Sequence, residues 1–91
     1  MSKFRLQDSG FQLDLYNGYT VSVQFSKYHY CSNRHGEDIG SYYTLQCNNA
    51  EVAVIDPDGE FINLDEHSDV LGYQSVSEVI EIINKFNALD A

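Results

Sequence analysis

Tryptophan is absent from this chain, proline occurs once, at Pro57, and cysteine twice, at Cys31 and Cys47. With one proline and no low-complexity tract or repeat, nothing marks a linker, and residues 1–91 read as a single domain. No apolar run is long enough to span a bilayer. The opening residues, Met1-Ser2-Lys3-Phe4-Arg5-Leu6, lack the apolar stretch of a secretory signal. The expected location is therefore the cytoplasm, with both thiols free in a reducing compartment. There is no Cys-x-x-Cys, and no glycine-rich phosphate loop.

Basic residues are scarce too. Five Lys and Arg face fourteen Asp and Glu, for a net charge of −9. The imbalance is not spread evenly. Residues 1–50 carry four acids and four bases, whereas residues 51–91 carry ten acids against Lys85 alone. Seven of those acids, Glu51, Asp56, Asp58, Glu60, Asp65, Glu66 and Asp69, lie in one stretch without a Lys or Arg. Long-range repulsion disfavours duplex DNA and anionic membranes as direct partners, and favours a protein with a basic surface.

What is present is a foldable distribution of apolar residues. They make up 43% of the chain, with seven Tyr and five Phe. A chain of this size buries roughly two-thirds of the surface it would expose unfolded, enough for one modest core. Strand patterns dominate up to about residue 64. Phe11, Leu13 and Leu15 alternate with polar residues, as do Tyr19, Val21, Val23 and Phe25. A two-residue Asn17-Gly18 turn would set Val21 opposite Asp14 and put a carboxylate on the apolar face. A three-residue loop, Tyr16-Asn17-Gly18, pairs Leu13 with Val21 and Phe11 with Val23 instead, and is the expected solution.

The same reasoning pairs Cys47 with Ala50, Leu45 with Val52 and Tyr43 with Val54 across Asn48-Asn49. It then pairs Val54 with Ile62 and Val52 with Leu64 across Pro57-Asp58-Gly59. Five strands follow, at 11–15, 19–26, 42–47, 50–56 and 60–64. Ser75-Val76-Ser77-Glu78 is a capping box, and Val76, Val79, Ile80, Ile83, Phe86 and Leu89 then recur at helical spacing. The expected fold is α+β: an antiparallel five-stranded meander with one helix, about 76–89, on its apolar face. On the other face Tyr42, Ala53, Ile55 and Phe61 form an apolar patch suited to homodimer contact, unless Phe4 and Leu6 fold over it.

Two segments attract a functional reading. The connection between the second and third strands, 26–41, gathers Tyr28, Tyr30, Asn33, Arg34 and His35 in an otherwise acidic protein. These residue types stack on rings and hold phosphate or carboxylate, so they are candidates for a small, nucleotide-like anion. His29, Cys31, His35 and Cys47 are the right types for zinc, but their spacing matches no familiar finger, and no metal site or cofactor is expected. Asp56-Pro57-Asp58-Gly59-Glu60 superficially resembles a calcium loop; the EF-hand frame puts Val54 where an acid is required, and a hairpin explains the same residues. Cys31 beside His29 or His35 is the sole candidate nucleophile pair, with no third group to orient it, and the expectation is not an enzyme.

The run Asn17-Gly18-Tyr19-Thr20-Val21-Ser22-Val23-Gln24-Phe25, with Tyr30-Cys31-Ser32-Asn33-Arg34, resembles a segment of small uncharacterised bacteriophage and mobile-element proteins. Ala50-Glu51-Val52-Ala53-Val54-Ile55-Asp56 and Asp58-Gly59-Glu60-Phe61 are similar as well. The chain departs from that pattern at Ser26-Lys27-Tyr28-His29, where a turn with glycine and proline is expected. The resemblance implies a phage accessory protein acting in the host cytoplasm, and small acidic phage proteins often counter host defence. Two readings result. In the first, the seven acids of 51–69 block the basic nucleic-acid site of a host protein complex. In the second, a dimeric protein sequesters a small anion through 26–41.

Overall fold

The computed structural model describes residues 2–7, 9–41 and 44–90. In chain order it contains β1 (Lys3–Gln7), β2 (Gly10–Asp14), β3 (Thr20–Gln24), a 3-10 turn (Ser32–His35), β4 (Gly40–Ser41), β5 (Thr44–Leu45), β6 (Asn49–Ile55), β7 (Val70–Ser75) and α1 (Val76–Asn87). Five strands form one antiparallel sheet in the order β1-β2-β3-β6-β7, and β4 pairs with β5 separately. The class is α+β, with the single helix packed on the sheet. No helix among the described residues is long and apolar enough to cross a membrane.

The first hairpin has the register required by its apolar face. Leu13 lies opposite Val21 and Phe11 opposite Val23. The Leu15 amide donates to the Tyr19 carbonyl at 2.7 Å, closing a three-residue loop. Gly18 stands at φ 94° and Gly59, in the second turn, at φ 87°, a left-handed conformation that a Cβ would penalise.

The middle of the sheet departs from expectation. β6 pairs directly with β3, with Val21 opposite Val54 and Val23 opposite Val52. Of the expected 42–47 strand, Tyr42 and Tyr43 lie outside the described residues, and the described part does not pair with β6: Leu45 pairs with Gly40, and no Asn48-Asn49 turn joins the two segments. Asn49 instead begins β6, because its side chain is engaged elsewhere: Oδ1 accepts from the Ser32 amide and Nδ2 donates to Ser32 Oγ, both at 2.8 Å. The physical reason lies in the valines. Val21, Val52 and Val54 become fully buried, each worth roughly 1.5–3 kcal/mol of transfer free energy. Closing a longer connection adds only a slowly growing entropy cost.

The last strand differs as well. The Pro57-Asp58-Gly59 turn forms, and the Ile62 amide donates to the Val54 carbonyl at 2.9 Å, in the expected register. Pairing then stops. The Leu64 amide turns onto the Ser68 carbonyl at 3.1 Å, and the edge beside Val52 is taken by Leu71 of β7 rather than by Leu64. Gly72 and Tyr73 interrupt this strand with a bulge, in which Tyr73 adopts φ 56°. That irregularity hides β7 from an alternation argument.

The N-terminal strand was not anticipated. Pairing places Phe4 opposite Leu13 and Leu6 opposite Phe11, on the helix side and not over the polar face. The capping box forms at Ser75 and Glu78, and α1 packs on β6 and β7. Val79 and Phe86 are buried and Ile82 and Ile83 half-buried, while Val76, Ile80 and Leu89 remain exposed. The helix is therefore rolled relative to the expected stripe, and β1 lies beyond its reach.

Candidate functional site

The long connection between β3 and β6 closes one end of the sheet. Asn33 holds it there: fully buried, it donates through Nδ2 to the carbonyls of Phe25 at 2.6 Å and Gln46 at 2.8 Å. Asn33 is therefore structural, a correction to its place among candidate ligand residues. Its amide is turned inward and both amide hydrogens are used. Cys31 is buried beside it, its thiol donating to the Ser26 carbonyl at 3.3 Å. Burial, with the neighbouring Cys47 thiol, pushes the Cys31 pKa up, which disfavours a thiolate. His29 faces Ser26 Oγ at 2.7 Å and His35 faces the Tyr73 hydroxyl at 3.2 Å, so each imidazole has a hydroxyl partner.

Two of the remaining candidates meet, and a third joins them through a residue of β7. The Arg34 guanidinium sits 4.6 Å from the centre of the Tyr30 ring, and His35, adjacent in sequence, reaches Tyr73. Tyr73 comes from β7, its amide donating to the Tyr30 carbonyl at 2.8 Å. Sequence reasoning missed Tyr73, because nothing local links it to residues forty positions earlier. Tyr28 is exposed, with the Lys27 ammonium 5.3 Å from its ring centre. Among the described residues no carboxylate pairs with Arg34.

The acidic stretch divides into structural and exposed carboxylates. Glu51 is half-buried on β6, 3.9 Å from His29 Nε2. Asp56 Oδ1 accepts from the amides of Asp58 at 2.9 Å and Glu60 at 3.0 Å, building the turn. Of the expected seven, these two therefore also have local contacts within the fold. Asp58, Glu60, Asp65, Glu66 and Asp69 are exposed, and no Lys or Arg pairs with any of them among the described residues. Phe61 stands among them, 56% exposed.

Of the four residues expected to form a dimer patch, Tyr42 lies outside the described residues. Ala53 is buried between Ser22 and Val70, Ile55 is half-buried, and Phe61 alone is well exposed.

A feature that sequence reasoning missed lies on the other face. A groove of about 420 Å³ runs between α1, β2–β3 and the 45–49 segment, walled by Phe11, Phe25, Leu45, Val76, Ile80 and Ile83 among others. One part of its signal was present in the sequence, a helical stripe wider than a single contact line; the placement of Leu45 was not, since its spacing suggested a sheet strand.

Comparison with protein-family models, curated proteins and solved structures yields no match for this chain.

Proposed function

We propose that this chain is a non-enzymatic binding protein whose acidic 58–69 edge occupies a basic, nucleic-acid-binding surface of a protein partner. The observation that carries this reading is the set of five exposed carboxylates without Lys or Arg partners among the described residues, in the same short segment as the exposed Phe61. Two turns in this segment are held by local hydrogen bonds: the Asp58 and Glu60 amides donate to Asp56 Oδ1, and the His67 amide donates to Asp65 Oδ1 at 2.8 Å. These bonds order the backbone that carries the carboxylates, and a basic surface relieves the repulsion among like charges. Charge of this kind speeds encounter and selects partners, while a desolvated aromatic anchor slows dissociation. The resemblance to phage proteins makes a host defence complex the partner class in view.

The test is capture from a bacterial lysate at low salt, followed by displacement of a labelled oligonucleotide from the captured protein. Replacing Asp58, Glu60, Asp65 and Glu66 with Lys should abolish both capture and displacement, and Phe61→Ala should speed dissociation. Capture that survives the four reversals, or that leaves the oligonucleotide bound, refutes the reading.

The stacked Arg34–Tyr30 pair beside His35 and Tyr73 supports a second reading, a site for a small anion carrying a planar ring. Calorimetric titration with nucleoside monophosphates and cyclic dinucleotides tests it. Arg34→Ala should remove the binding heat while leaving the circular dichroism spectrum unchanged, and binding retained in that variant counts against it.

A further inference from the structure

We propose that the outer edge of β1 is a self-association surface, on which β1 of a second copy adds antiparallel about Arg5. The two edges of the sheet differ. At β7 the outer side is engaged, since the Tyr73 amide donates to the Tyr30 carbonyl at 2.8 Å and Tyr30 packs against Gly72. At β1 no strand lies outside Lys3–Gln7 among the described residues. An open strand edge with apolar side chains is a template for another strand, and sheet proteins ordinarily guard against it. Here the edge is not guarded on its apolar side. Phe4 is 87% and Leu6 93% exposed, the two highest values among the large apolar side chains of the described residues.

The strand is self-complementary in one register. A twofold axis through Arg5 pairs Phe4 with Leu6 of the second copy and Lys3 with Gln7 of the second copy, so all five residues are matched. Apolar side chains then meet apolar side chains on the helix side. A slip by one residue sets Phe4 against Arg5 and mixes the faces. Within each copy Leu6 lies opposite Phe11, a wall of the groove. The Phe4 ring of the second copy therefore adds to an apolar tract that already runs toward Val76 and Ile80.

Charge selects the same edge. The chain carries −9 overall, so most faces of two copies repel each other. β1 contains two of the five basic residues and no acid. Arg5 donates to Asp14 Oδ1 at 2.7 Å and Lys3 lies 3.8 Å from Asp14 Oδ2. Each Arg5 thus reaches the twofold axis already paired with a carboxylate of its own copy. Two Phe and two Leu side chains with the backbone between them cover on the order of 1,000 Å², near the lower bound of a specific interface.

The experiment is sedimentation equilibrium of the full chain from micromolar to submillimolar concentration, with circular dichroism as a check on folding. The wild type should dimerise, Leu6→Lys should be monomeric with an unchanged spectrum, and Phe61→Ser should dimerise like the wild type. Register is read from disulfides formed in a Cys47→Ser background with oxidised glutathione, which accepts the two electrons. Arg5→Cys should cross-link to its own copy across the axis, and Lys3→Cys should not. A wild type that stays monomeric throughout overturns the proposal, even if Phe4 and Leu6 then prove to bind a different protein. A dimer that persists in Leu6→Lys overturns it as well, because the interface then lies elsewhere.

Discussion

Asn17 donates through Nδ2 to the carbonyl of Phe86 at 2.8 Å, joining the first hairpin turn to the last turn of the helix 69 positions away. The same amide group donates to the Leu89 carbonyl at 2.7 Å, and Oδ1 accepts from the Tyr19 amide at 3.2 Å. A turn residue thereby adds a donor to a carbonyl of the last helical turn and to one just beyond it.

Asn17→Ala should therefore cost about 1–3 kcal/mol, because a buried side chain loses two hydrogen bonds to the helix end and one to the Tyr19 amide. Asn17→Asp should cost more at pH 7, since it aims a negative charge at the negative end of the helix dipole. Urea denaturation of the three proteins measures both differences. Equal midpoints would show that the contact does not stabilise the fold.

Asp14 should make the protein acid-sensitive. The hydrogen bond from Arg5 is the main cause holding its carboxyl below the ordinary value of 3.8, with Thr20 and the nearby Lys3 acting in the same direction against partial burial. A carboxyl lowered in the folded state stabilises the fold fully above its unfolded value, and that contribution is lost as pH falls through the folded one. Thermal melts of the wild type should fall more steeply below about pH 4 than those of Asp14→Asn. Parallel curves for the two proteins would contradict this.

Removing Asn33 should unfasten the long connection and uncover a thiol. Asn33→Ala leaves the carbonyls of Phe25 and Gln46 without this donor, a loss of about 1–3 kcal/mol for each one that stays dry. Cys31, buried and with its pKa pushed up, should alkylate slowly in the wild type and much faster in the variant. Mass spectrometry after timed iodoacetamide treatment reads the rates. An unchanged rate would mean that the cysteine is protected by something other than the Asn33 contacts.

Gly72→Ala should disturb the same connection from the other side. A Cβ at Gly72 would lie 2.7 Å from the Cβ of Tyr30, too close without a shift of the backbone carrying that ring. Trypsin cleavage after Lys27 or Arg34 should accelerate in the variant while the helical signal at 222 nm persists. Cleavage at the wild-type rate would show that Tyr30 yields without loosening its loop.

Much of the architecture was legible because it rests on local rules. The Tyr16-Asn17-Gly18 loop follows from keeping Asp14 off the apolar face. The helix start follows from Ser75 and Glu78, and the Pro57-Asp58-Gly59 turn from its own chemistry. The same local rules misled where a distant strand competed. Pairing 42–47 with 50–56 was reasonable for neighbours in sequence, but Val52 and Val54 bury more against Val23 and Val21. β7 escaped notice because Gly72 and the positive φ of Tyr73 break the alternation that marks a strand.

The candidate surfaces divide in the same way. By itself the sequence determined the net charge, its concentration after residue 51 and the presence of Arg34, Tyr30 and His35 in one segment, since these are counts and neighbours along a chain. Tertiary structure alone decided that Glu51 lies beside His29, that Asn33 turns inward and that Tyr73 joins His35. It also decided that Phe4 and Leu6 stand uncovered on an open edge. Those outcomes depend on which strands compete successfully for the buried valines and on how far a twelve-residue helix reaches across the sheet. Such competitions are settled by packing in three dimensions, which composition and spacing along the chain do not encode locally.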